Sequence, residues 1–230
     1  MIHTLVATAS GSSVQINFKN SLSKPSDSVL IILAVALLAI APAAIIMMTG
    51  FTRIVVVLSL TRQALGLQTI PPNQVIAGLA LFLSLFIMAP TLSAMNHVAL
   101  QPYMNGKIST SQAVDRAEVP LKTWMLRQTD SSELELMASA AHENPKKPED
   151  VSMVAVIPAF VLSQLQSAFI IGFVIFVPFL IIDLVVSATL MSMGMMMLPP
   201  TLVSLPFKIL LFVMIDGWTL IAHSLLTSFH

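Results

Sequence analysis

Cysteine is absent from the 230 residues, which excludes structural disulfides, thiolate metal sites and cysteine nucleophiles. Charge is scarce too. Asp, Glu, Lys and Arg make up 10% of the chain, 11 acidic against 11 basic, where an ordinary soluble domain carries about 25%. A chain this poor in charge belongs in a membrane or inside a large assembly. Balanced charge with few basic clusters argues against nucleic acid as a partner. A Walker loop, a GxGxxG turn, a GxSxG elbow, an HExxH helix and a GxGD motif are all missing. His3, His97, His142, His223 and His230 are scattered, without acidic ligands at metal spacing. The sequence therefore predicts no enzyme chemistry, no cofactor and no bound metal.

What is present is apolar: 56% of the residues, with a mean hydropathy of +0.89. A polar, Ser-rich leader occupies residues 1–28 and lacks the basic segment and sustained apolar core of a signal peptide. Val29 to Thr49 is an uncharged run as long as a bilayer core is thick, with Pro42 inside it as a kink. Gly50 to Gly66 continues in helical style, with Arg53 and Arg62 near its ends. Gly66 reads as a C-terminal cap, and Pro71-Pro72 stops the helix before Asn73 opens the next one, which is uncharged to Val98. Residues 29–100 thus read as a first apolar hairpin turning at 67–72.

Residues 101–150 carry most of the chain's charges and read as a small solvated helical insert. There Asp130 and Glu133 resemble a capping box, and Leu134, Met137, Ala138 and Ala141 make an amphipathic stripe. With Trp124, that stripe predicts lateral contacts between copies. Residues 151–230 hold only Asp183, Lys208 and Asp216 as formal charges up to Phe229. They read as a second apolar hairpin turning at Leu198 to Thr201, its first helix broken at Pro158 and Pro178. The fold class predicted is all-α: two long apolar hairpins flanking a polar insert.

Intramembrane charges are functional candidates by default. A turn near residue 199.5 places Asp183 and Asp216 at one depth, as a protease pair, a proton relay, or two unrelated helix-end carboxylates. Lys208 snorkels or pairs with a neighbouring chain, and Asp183, Lys208 and Asp216 are expected to serve assembly and helix positioning; Arg53 and Arg62 act as anchors or subunit contacts. The stretch MSMGMMMLPP holds five of the fifteen methionines, Met191, Met193, Met195, Met196 and Met197. Such compliant side chains fill an irregular core corner or make a deformable surface.

Several strings together resemble one family: FTRIVVVLSLTRQALG (51–66), PPNQVIAGLALFLSLFIMAP (71–90), IPAFVLSQLQSAFIIGFVIFVPFLIID (157–183), LMSMGMMMLPP (190–200) and LPFKILLFVMIDGW (205–218). They are similar to the FliP/SctR family of type III secretion export-gate subunits, and FTRI with PPNQV leans toward its flagellar branch over the injectisome branch. The resemblance implies a non-enzymatic, pore-forming subunit of the bacterial inner membrane and flagellar basal body. Several copies would assemble with FliQ and FliR, beside FlhA and FlhB, to pass unfolded flagellar subunits. It implies a periplasmic insert and a channel gasket at Met195, Met196 and Met197, with Met191 and Met193 adjoining. Two departures stand out: Gln164 and Gln166 replace a usual Glu and Lys, and the family's common signal peptide is not apparent. The rival of another class is a proton-coupled secondary transporter built on Asp183, Lys208 and Asp216.

Overall fold

A computed structural model describes residues 46–195 and 197–229, together with positions 32, 35, 36, 39 and 43. Every regular element among the described residues is helical, with no strand. The chain divides into two units, 1–44 and 45–230. The described positions of the first, such as Ile32 and Val35, are helical and exposed. Pro42 lies outside the described residues.

In the second unit a turn over Met48 to Gly50 separates a short helical end from α1 (Phe51–Ala64), so the expected continuous helix is interrupted there. The α1 helix ends as its sequence predicts. Gly66 takes φ +76°, its N–H reaches the Gln63 carbonyl, and the Leu67 N–H reaches that of Arg62. These are the paired closing bonds of a Schellman cap, a conformation glycine adopts without steric cost. Helix α2 (Asn73–Met95) follows, and runs through a π-helical turn at Asn96–Leu100 into α3 (Gln101–Met104). The apolar rod thus extends into the first residues assigned to the insert.

The insert contains α4 (Thr110–Arg127) and α5 (Ser131–Ala140). Its capping box forms at Ser109 and Gln112, not at Asp130 and Glu133. Asp130 does occupy the N-cap of α5, but its side chain makes no capping bond and its N–H is taken by Ser163 Oγ at 3.0 Å. A tertiary partner has displaced the local one. The amphipathic stripe is also spent within the chain. Leu134 and Ala138 are buried with Met125 against Val156, Ala159 and Phe160, while Ala141 is exposed. Trp124 lies 5.3 Å from the Phe160 ring and 6.5 Å from that of Phe229. The face expected to join copies instead fastens the insert to its own apolar helices.

Helix α6 (Met153–Ser192) spans 40 residues without a break, about 60 Å, against the expectation set by Pro158 and Pro178. Each proline deletes one backbone bond, leaving the carbonyl four residues earlier unmatched; the rest of the ladder and the packing on α1 carry the helix through. The last helix, by contrast, is broken. Between α7 (Pro200–Met214) and α8 (Gly217–Thr227) the chain bends by 63°, at Asp216 with φ +50°.

The core is organised around α1. Ile54, Val57, Leu58 and Ala64 of α1 are enclosed by Ile76 and Ala80 of α2, Ala168 and Phe179 of α6, Phe212 of α7, and Ile221 and Leu225 of α8. The long outer helices leave apolar faces open, including Phe82 and Phe86 on α2 and Phe173 and Val174 on α6. Asn73–Met104 and Met153–Ser192 are each long and apolar enough to cross a membrane, and α7 with α8 would make a third, bent span.

Candidate functional site

The methionine stretch lies between α6 and α7. Helix α6 stops at Ser192 because Gly194 enters the left-handed region at φ +72°; its N–H bonds the Met191 carbonyl and the Met195 N–H bonds that of Leu190, again a Schellman closure. Pro200 then starts α7 in the first turn, where a missing N–H costs no helical hydrogen bond. Between these stops the side chains face outward. Met191 is 59% exposed, Met193 71%, Met195 41% and Met197 98%, so within the chain they fill no core corner. Met196 lies outside the described residues.

Below the loop, three α6 and α7 side chains meet. Lys208 Nζ donates to Asp183 Oδ2 at 2.6 Å and to the Ala64 carbonyl at 3.2 Å. Ser204 Oγ donates to Asp183 Oδ1 at 2.6 Å and is also 3.2 Å from the Thr201 carbonyl. Both carboxylate oxygens are therefore occupied. Lys208 is buried, with 4% of its side chain accessible, against 31% for Asp183. The ammonium adds a favourable charge at the C-terminal end of α1, where carbonyls lack helical partners. Asp216 does not join this group. It is exposed at the break before α8, so the expected pair of carboxylates at one depth does not form.

The two arginines bind the ends of α1. Arg53, buried, donates to the Ser228 carbonyl at 2.7 Å and to its hydroxyl at 3.2 Å, with the guanidinium carbon 4.2 Å from the Phe229 ring centre. Arg62 donates to the Pro71 carbonyl at 3.1 Å and Asn73 Oδ1 at 2.7 Å, clamping the turn into α2. Gln164 is fully buried and its amide donates a hydrogen bond to the Gln128 carbonyl at 3.0 Å; Gln166 is exposed. Among the described residues no three of His, Asp and Glu gather as a metal-binding group.

Ser204 and the Ala64 carbonyl are members of the charged group that sequence reasoning missed. The signal for Ser204 was present, since positions 204 and 208 share one face of a helix. Ser228 and Phe229, the partners of Arg53, had no local signal, because the contact joins opposite ends of the unit.

The family model of FliP matches residues 33–225. The chain is 53% identical over 205 residues to the flagellar biosynthetic protein FliP of Bacillus subtilis (strain 168), covering 89% of this chain and 93% of that protein. It is 52% identical over 191 residues to FliP of Pectobacterium carotovorum, covering 82% and 74% of the two chains. With FliP of Aquifex aeolicus it shares 47% over 206 residues, 88% and 86% of the two. These matches span both apolar hairpins, the insert and the methionine loop, and the chain belongs to the FliP family.

Proposed function

We propose that this chain is a pore-forming core subunit of the bacterial flagellar protein export gate, passing unfolded flagellar subunits through a channel narrowed by Met191, Met193, Met195, Met196 and Met197. The observation that carries the reading is the outward projection of the four described methionines from a loop stopped on both sides. A constriction that must seal against ions yet accept chains of any sequence needs an apolar lining that dewets and side chains that re-pack. Several copies would build the ring or spiral with FliQ and FliR, near FlhA and FlhB. The subunit would sit in the inner membrane with the insert on the periplasmic side, and it would have no catalytic role. The open apolar faces of α2 and α6 suit burial against lipid or such neighbours. A proton-coupled carrier draws less support, since Asp183 is engaged by Lys208 and Ser204 and Asp216 stands apart.

Replacing Met195, Met196 and Met197 together by alanine should widen the closed channel. The assembled complex should form in normal yield and the cells should leak ions. If the methionines were core residues, each truncation would cost about 2–5 kcal/mol, and the complex would fail to form without any leak. Conductance and complex yield in the same strain decide between the two.

A further inference from the structure

This chain offers oxidants one kind of sulfur. It has fifteen methionines and no cysteine, so no thiol of its own competes for an oxidant. Enclosed thioethers are shielded, as at Met88 and Met125, 2% and 0% exposed. The loop is the opposite case, with Met193 and Met197 at 71% and 98% and five methionines between positions 191 and 197. No other stretch of the chain gathers as many. Met104 and Met214 are also exposed, but each is the sole methionine of its helix.

A peroxide reacts with a thioether by oxygen transfer. A sulfur lone pair attacks one peroxide oxygen and the O–O bond breaks. That oxygen stays on sulfur as a sulfoxide, while the other takes the displaced proton and leaves as water or an alcohol. Sulfur is oxidised and the peroxide reduced by the same electron pair. The side chain changes from flexible and apolar to polar, and its new oxygen requires a hydrogen-bond donor. The donors nearby are already engaged. The N–H groups of Met193, Gly194 and Met195 bond the carbonyls of Thr189, Met191 and Leu190, and the Ser192 hydroxyl donates to the Thr189 carbonyl. Pro199 and Pro200 have no N–H to give. A sulfoxide oxygen formed in this loop therefore takes its partner from water.

We propose that the methionine loop is a site of oxidative modification by peroxides, and that sulfoxide formation there opens the closed channel to water and ions. The opening step rests on the gate reading above. An apolar constriction stays shut to ions because it stays dry, and a side chain that must keep water beside it removes that condition. A peroxide such as hydrogen peroxide is small and uncharged, so it reaches thioethers that face a narrow passage.

The test adds hydrogen peroxide to the assembled complex in vesicles and follows two quantities in time, oxygen incorporation at each methionine by peptide mass and ion conductance. The loop methionines should oxidise at least about tenfold faster than Met88 and Met125, which react only when the fold opens. Conductance should rise by about tenfold, in step with the loop sulfoxides and not with those of Met104 or Met214. A variant with Met191, Met193, Met195, Met196 and Met197 all replaced by leucine, similar in volume but without sulfur, should keep its low conductance in peroxide. Loop methionines that oxidise no faster than Met88 overturn the proposal. A leak that persists in the leucine variant does so as well; if that variant does not assemble, a leak that follows Met104 or Met214 in the parent has the same force. Where the triple alanine variant leaks but loop sulfoxides leave conductance unchanged, the opening step falls and the gate reading stands. Where neither the alanine variant nor the oxidised complex leaks, the gate reading falls and takes the opening step with it, while fast oxidation read by mass upholds the loop as a modification site.

Discussion

Gly172 sits where α1 and α6 approach closely, and replacing it by alanine sets two known effects against each other. A β-carbon built at position 172 lies 2.3 Å from Leu60 Cδ1, 3.2 Å from Cβ and 3.3 Å from Cγ. A change of rotamer can move Cδ1 away, but it leaves Cβ where the α1 backbone puts it, so the helices must part by a few tenths of an ångström. Overpacking of this kind costs about 1–3 kcal/mol. Against it stands the gain of about 1 kcal/mol for alanine over glycine inside a helix. The crowding wins: Gly172→Ala should destabilise by up to about 2 kcal/mol. In a Leu60→Ala background Cδ1 and Cγ are gone and only Cβ at 3.2 Å remains, so the same substitution should cost less and end close to neutral. The difference between the two backgrounds, read from denaturant midpoints of the four chains of the cycle in detergent, measures a coupling of about 1 kcal/mol. A Gly172→Ala effect of the same sign and size in both backgrounds would refute the contact as the cause.

Two other expectations concern the insert. Glu143 accepts the Ser152 N–H at 2.9 Å and also the Ser152 hydroxyl, and these bonds at the start of α6 hold its carboxyl below the ordinary glutamate value of 4.5. A depressed folded value means the contribution is present above 4.5 and lost as pH falls through the lower folded value. Protection of the first α6 amides against hydrogen exchange, relative to the intrinsic rate at each pH, should therefore fall on acidification below pH 4.5, and Glu143→Gln should abolish that dependence. Leu134→Asp places a charge in the cluster of Met125, Val156 and Phe160. It should unfold the insert in the isolated chain, seen as lost exchange protection over α4 and α5, whereas an effect confined to assembly would return this face to contacts between copies.

The helical class was legible because uncharged runs longer than a bilayer is thick leave no other element able to satisfy its backbone. The amphipathic stripe at Leu134 and Ala138 was legible as a buried face, but periodicity says only that a face is covered; α6 covers it. Pro158 and Pro178 misled because a proline removes one bond, while the fate of a long helix depends on neighbours far away in sequence. The break that does occur lies at Asp216-Gly217, a turn-forming dipeptide masked by the apolar run around it. The pairing of charges failed for a geometric reason. The hairpin pivots about Gly194 and not about the two prolines, so Asp183 faces Ser204 and Lys208 and misses Asp216. The methionine cluster was plain in the sequence, but its exposure was not, since composition cannot say which side of a helix stop a side chain takes.

Four of the charges outside the insert, Asp216 excepted, share one kind of place. Arg53 joins the start of α1 to the chain's last residues, Arg62 closes the turn into α2, and Lys208 with Asp183 joins the end of α1 to α6 and α7. Each marks a junction of α1 with another element. In water, apolar burial would itself hold such helices in register, because a slip exposes methylenes at about 25 cal/mol per Å². Against lipid or an equally apolar neighbour a slip exposes nothing new, and that restoring force is gone. Directional bonds to a charged group then become the main determinants of register, since a displacement of one turn leaves a buried charge unmatched. The low charge content thus suits the surroundings, and the placement of what remains specifies which of many apolar packings the chain adopts.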